Sequence, residues 1–131
     1  MAIRIVRLGT PRAKNEGPRL GTVRRPPRGV RKADYAKRDY YDLWLPLLSP
    51  SQRAVSDALS KPWTDARWKK FAAAYRREMK APAAQQLVAL LAQLSHHANF
   101  SVGCYCENEA RCHRSLLKHL LLEHGAELAG K

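Results

Sequence analysis

All three cysteines of the chain lie between Cys104 and Cys112, followed at once by His113 and Arg114, with Glu107 and Arg111 in between. Thiols, an imidazole and guanidinium groups are the side chains from which nucleophilic, metal-binding and anion-binding sites are built. Cys104 and Cys106 are two apart, so on a strand they share a face. Cys112 falls in the first turn of an expected helix, where the helix dipole lowers a thiol pKa. Arg111 and Arg114 are three apart and would be neighbours on that helix, aimed at a phosphate or carboxylate.

Three chemistries fit these residues. In the first, Arg111 and Arg114 bind a phosphate or nucleotide and Cys112 or His113 assists. In the second, the Cys-x-Cys-x5-Cys-His spacing supplies enough ligands for zinc. Adjacent helical residues point about 100° apart, however, which makes Cys112 and His113 awkward partners on one ion. No metal ligand is therefore assigned. In the third, Cys104, Cys106 or Cys112 is a nucleophile or a redox pair. The cysteine phosphatase pattern, with Arg six residues after its nucleophile, is absent, because the sixth residue after Cys106 is Cys112. Cys104 also reads as a small buried apolar residue. The candidate catalytic residues are thus Cys106, Glu107, Cys112 and His113, with Glu107 a general acid or base if it faces a pocket. The candidate ligand-binding residues are Arg28, Arg111 and Arg114.

The elements that position these groups can be read from periodicity. Ile3, Ile5 and Leu8 alternate with Arg4 and Arg7, which predicts a strand over about 3–8. Phe100 and Val102 alternate with Ser101 and Gly103, which predicts a buried central strand over 100–106. Residues 9–33 are a basic loop rich in Gly and Pro that no helix survives, with room for a short strand near Leu20–Arg24. Within it, Arg24-Arg25-Pro26-Pro27-Arg28-Gly29-Val30-Arg31-Lys32 is a stiff, extended, cationic run. A helix is expected after Asp34, with Tyr40, Trp44, Leu47 and Leu48 on one face, ending near Pro46. Ser51 caps a short helix through Leu59. Thr64 or Asp65 caps a longer one with Trp68, Phe71, Tyr75 and Met79 inward. A third runs over about 82–97 with Leu87, Leu90, Leu91 and Leu94 inward, and a last one starts near Ala110 with Leu116, Leu117, Leu120 and Leu121 packing down. Gly125 follows as its C′ residue.

At 131 residues the chain is expected to be a single domain, 1–131. Its formal net charge is +13, and the excess is uneven. Residues 1–40 carry twelve Lys and Arg against three Asp and Glu, whereas the remainder carries twelve against eight. That imbalance points to a polyanionic partner, a nucleic acid or a phosphorylated small molecule, over a membrane surface. The N-terminal residues lack the apolar run of a signal peptide, and no stretch is long and apolar enough to span a bilayer. An odd number of cysteines argues against a disulfide framework and for a reducing, cytoplasmic setting.

The motifs resemble the domain-of-unknown-function family 488. Cys104-x-Cys106-Glu107…Cys112-His113-Arg114-Ser115-Leu116-Leu117 is similar to that family's Cys-x-Glu or Cys-Glu element followed by Cys-His-Arg. Pro27-Arg28-Gly29-Val30-x-Lys32 resembles its Trp-Pro-Arg-Gly-Val-x-Lys loop, and Leu43-Trp44…Leu48-Ser49-Pro50-Ser51 its Trp…Ala-Pro-Ser segment. Arg67-Trp68-x-x-Phe71…Tyr75-x-x-Glu78-Met79 resembles its Arg-Trp-x-x-Phe…Tyr-x-x-Glu-Leu helix. The matches run in order over most of the chain. Pro26 stands where the loop usually has Trp, and Val23 where it often has Asp, so a loop carboxylate is missing. The resemblance implies a small α/β, Rossmann-like domain in which the first strand, the Pro-Arg-Gly loop and the Cys-His-Arg turn meet. It brings no activity with it.

The expectation is an α/β single domain with a small, mainly parallel Rossmann-like sheet covered by helices. Its expected function is a phosphate-, nucleotide- or nucleic-acid-directed enzyme with a Cys-His-Arg site. A non-catalytic nucleic-acid-binding module and a zinc-stabilised structural domain are the alternatives.

Overall fold

The β-branched residues of Ile3–Arg7 (β1) pair in parallel with Phe100–Cys104, residue for residue from Ile3 opposite Phe100 to Arg7 opposite Cys104. Two shorter strands, Arg19–Gly21 (β2) and Leu43–Trp44 (β3), precede Phe100–Cys104 (β4) in the chain. The computed structural model, which describes residues 1–129, places them in the order β1-β4-β2-β3, all parallel. β4 is central and buried along its whole length. Gly103 is required there, since a Cβ at this position would lie 2.6 Å from Leu8 Cδ2 and 2.9 Å from the Val6 carbonyl. Among the described residues, no helix is long and apolar enough to cross a membrane.

Among the described residues, four α-helices flank the sheet. Ser51 caps Gln52–Leu59 (α1) by accepting the Ala54 amide at 3.1 Å, and Thr64 caps Asp65–Glu78 (α2) by accepting the Arg67 amide at 3.2 Å. Pro82 opens Pro82–Leu94 (α3), where its missing N–H is no loss. His113–Glu123 (α4) ends on His124, whose Nδ1 lies 2.9 Å from the Leu120 carbonyl, and on Gly125 at φ 81°. Ile3, Tyr75, Val88, Phe100, Val102, Leu117 and Leu121 form the main core between helices and sheet. Tyr75 is fully buried and donates its hydroxyl to the Leu48 carbonyl at 2.8 Å. A second buried cluster joins Leu8, Val23, Tyr41, Cys104 and Cys112, and Tyr35 and Tyr40 from the long loop close over it.

Three expectations are corrected. The segment after Asp34 forms no α-helix; it makes turns, β3 and a single 3-10 turn over Pro46–Leu48. Asp39 adopts φ 61°, and Asp42 is tied to β2 in both directions: its carboxylate accepts the Arg19 amide at 2.7 Å and its own amide donates to the Arg19 carbonyl at 2.9 Å. Sheet pairing thus overrides the apolar spacing of Tyr40, Trp44, Leu47 and Leu48. In α3 the inward face is Ala84, Val88, Leu91 and Ala92, while Leu90 and Leu94 are exposed. The last helix begins at His113, after a separate 3-10 turn over Glu109–Arg111.

One feature of the Gly/Pro loop left no trace in the sequence. Arg19 is 1% exposed and ion-paired with Glu16, itself 3% exposed, at 2.6 Å. Its Nη1 also donates to the carbonyls of Thr10 and Asp39 at 2.8 and 2.7 Å, and its Nη2 to that of Pro11 at 3.2 Å. Burial pushes the Glu16 carboxyl up, but bonds from Arg19 and the Ala13 amide bring it below its ordinary value. A loop that cannot form a ladder is thereby held by one buried guanidinium.

Candidate functional site

β4 ends at Cys104, and the chain turns through Tyr105–Asn108, where Asn108 Oδ1 accepts the Ala110 amide at 3.0 Å. Cys112 follows in an extended conformation (φ −127°, ψ 151°) at the N-cap of α4, not within its first turn. Its side chain makes no capping bond, which leaves the thiol free to turn toward the end of β4. The three sulfurs converge there, all within 4.8 Å of one another, with Cys104 Sγ and Cys106 Sγ 3.6 Å apart. Cys104 and Cys112 are buried and Cys106 is exposed.

His113 is buried behind this cluster. Its Nε2 lies 2.6 Å from the Thr22 carbonyl and its Nδ1 3.8 Å from Cys112 Sγ. Thr22 is itself held by its hydroxyl on the Gly103 carbonyl at 3.0 Å. Because a carbonyl only accepts, this pairing assigns the proton to Nε2 and orients the ring. Arg114 is 4% exposed and donates to the Cys106 carbonyl at 2.6 Å, while its Nε is buried with no partner. Thiol hydrogen bonds from Cys104 and Cys106 hold Cys112 well below the ordinary thiol range; burial opposes this and His113 assists it. Donation to those neighbours and burial push Cys104 up. Donation from Cys104 lowers Cys106, but Cys112 and burial outweigh it and carry the thiol up to about 11.

The cysteines open onto a cleft of about 680 Å³. Arg24, Arg25, Pro27 and Arg28 of the cationic run form one side, and Trp63 and Phe71 add aromatic surface. The Tyr105 hydroxyl donates to the Arg25 carbonyl at 2.9 Å, tying the run to the cysteine turn. Arg24 is spent on the carbonyls of Pro50 and Pro46 at 3.1 and 3.3 Å, and Arg25 reaches Gln52. Arg28 is exposed and has no hydrogen-bond or ion-pair partner among the described residues.

The expected site residues thus divide. Arg28, Cys106, Arg111, Cys112 and His113 all line the cleft, as does Cys104. Arg114 and Glu107 are not among its lining residues: Arg114 lies buried beneath Cys106, and Glu107 sits on the surface 3.5 Å from Arg7. Arg111 and Arg114 diverge, because the chain is not helical between them. Arg111 pairs with Asp65 at 2.5 Å and lies over the Trp68 ring at 6.0 Å, leaving its Nη1 buried without a partner. Thr22, Tyr105 and Arg25 were not singled out by the sequence. Arg25 could have been, as part of the cationic run, but nothing local marks a backbone carbonyl as the partner of His113.

A family model described as the active DUF488-N3 subclade (DUF488-N3a) matches residues 3–125. No curated protein and no solved structure matches the chain.

Proposed function

The chain belongs to the DUF488 family, and on that premise we propose that it is a nucleotide- or phosphate-directed enzyme whose ligand lies in the cleft and whose chemistry takes place at the cysteine cluster. One observation carries this reading: guanidinium groups, aromatic rings and three convergent sulfurs share a single cleft of about 680 Å³. Arg28 and Arg25 are suited to phosphate oxygens, which match a planar, two-pronged donor. Arg111 adds an unpaired buried donor, and a buried donor left without a partner is costly unless a ligand satisfies it. Trp63 and Phe71 offer the flat apolar surface on which a base stacks. Cys112, with His113 behind it, faces the ligand from the end of β4, where ligands of open parallel sheets bind. Arg114 shapes the turn under Cys106 and touches no phosphate.

The test is calorimetric titration of the metal-free chain with inorganic phosphate, a nucleoside monophosphate and a short single-stranded oligonucleotide. The monophosphate is expected to bind more tightly than phosphate. Arg28→Ala should weaken it about 10- to 100-fold, the range for losing a charge-assisted hydrogen bond. Binding confined to the oligonucleotide and falling steeply with salt would instead support the non-catalytic nucleic-acid module that the basic N-terminal third suggests. Failure of all three ligands to bind sinks the reading.

A further inference from the structure

We propose that Cys104, Cys106 and Cys112 form a three-thiolate site for a thiophilic divalent cation, zinc foremost, with the fourth coordination position open to the cleft. The inference concerns the same cleft as the function proposed above and does not depend on which ligand binds there.

Sulfur geometry is the first ground. Tetrahedral zinc with Zn–S bonds of about 2.3 Å places neighbouring sulfurs about 3.8 Å apart. Cys104 and Cys106 are at 3.6 Å, and the third sulfur lies within 4.8 Å of both. A disulfide needs about 2.05 Å, so the cluster is spaced to share an ion between unbonded sulfurs.

Charge is the second. Arg114 is a buried cation whose one hydrogen bond goes to a backbone carbonyl, whose Nε has no partner, and which has no carboxylate within ion-pairing distance among the described residues. Buried charges are found paired. Three thiolates around a dication carry one net negative charge, directly beside the turn that Arg114 supports. A three-thiolate ion site would set that charge beside Arg114, which has no carboxylate partner among the described residues.

The number of ligands gives the open position. His113 Nε2 is committed to the Thr22 carbonyl, so the ring backs Cys112 and does not join it as a ligand. Among the described residues the converging ligand group contains these three cysteines only. Three protein ligands with a water or substrate in fourth place is the arrangement of catalytic zinc, whereas structural zinc has four. All three cysteines line the cleft, so the vacant position faces it. Loading changes no oxidation state: the thiol protons pass to buffer and three metal–sulfur bonds form.

The chain, reduced and stripped with a chelator, is titrated with cobalt(II) chloride. The expected result is one equivalent bound, with thiolate-to-cobalt charge-transfer absorption and the intense d–d bands of a four-coordinate ion, displaced by zinc. Imidazole added as an exogenous ligand should shift the d–d bands, because it enters the open position. Zinc should protect all three thiols from iodoacetamide, counted by mass spectrometry. Cys106→Ser alters an exposed position and should fold, judged by circular dichroism, yet lose stoichiometric binding. Arg114→Lys should weaken binding about 10-fold, the lower end of the range for removing a supporting partner. A cobalt spectrum without thiolate bands, or three thiols alkylated equally fast with and without zinc, overturns the proposal. Cobalt binding is read without nucleotide and nucleotide binding without metal, so either result can fail while the other stands.

Discussion

Arg19→Met removes the guanidinium that holds the long loop. In the native protein this group makes two bonds to Glu16, at 2.6 and 3.2 Å, and three to the carbonyls of Thr10, Pro11 and Asp39. Both partners of the pair are at most 3% exposed. Removing one partner of such a pair leaves an uncompensated buried charge, at a cost of about 3–5 kcal/mol. Domains of this size are stable by about 5–15 kcal/mol, so the loss is a large share of the whole. At about 3–5 °C per kcal/mol for 131 residues, the melting temperature should fall by about 10–25 °C. Urea unfolding followed by tryptophan fluorescence gives the free energy directly.

The pH dependence carries a second check. The Glu16 carboxyl is depressed in the folded state, so its contribution is present above the unfolded glutamate pKa of about 4.3 and is lost as pH falls through the lower folded value. Without Arg19, burial is opposed only by the Ala13 amide, so the Glu16 carboxyl moves up from its position in the native protein. The difference between native protein and variant should therefore shrink as pH is lowered from 7 toward 4. Glu16→Leu combined with Arg19→Met should be more stable than Arg19→Met alone, because the stranded carboxylate is gone. An Arg19→Met cost below about 1 kcal/mol, the level of an exposed pair, or strictly additive effects in the double variant, would refute the view that this pair organises the loop.

Other substitutions test the positioning of the site. Gly103→Ala should destabilise by about 1–3 kcal/mol, measured by denaturation, because the added Cβ presses on Leu8 and on the Val6 carbonyl. Tyr105→Phe removes the bond to the Arg25 carbonyl and should cost about 1 kcal/mol; hydrogen exchange should rise in the cationic run, whereas unchanged exchange there would show that the tie does not hold it. Glu78→Ala deprives Ser51 of two hydrogen bonds, at 2.9 and 2.5 Å, and should cost about 1–2 kcal/mol, with α1 fraying first by hydrogen exchange.

What the sequence made legible is the part of the fold written as apolar periodicity. β1, β4, α2 and α4 are found within a few residues of their expected limits, because each buries one face and its pattern records that face. Gly125 and Ser51 were legible for a related reason, since a left-handed turn and an N-cap each favour particular residues. The segment after Asp34 failed because helical spacing and a turn-rich strand edge can carry the same apolar residues, and the deciding bonds of Asp42 run to Arg19, far away in the chain. Arg19 and Glu16, three apart in a polar loop, look like a solvated pair until tertiary structure closes over them. The candidate site shows the same division. Residue types and the strand-to-helix turn located it; which groups face one another depended on the sheet order. Placing β2 beside β4 brings Thr22 to His113, 91 positions away, and sets the cationic run against the cysteine turn. The partners that fix His113, Arg114 and Tyr105 are the carbonyls of Thr22, Cys106 and Arg25. A backbone carbonyl is present at every position, so the geometry of this site is a property of topology more than of side-chain identity. Substituting the side chains of Thr22 or Arg25 should leave those contacts in place, whereas displacing β2 should dismantle the site as a unit.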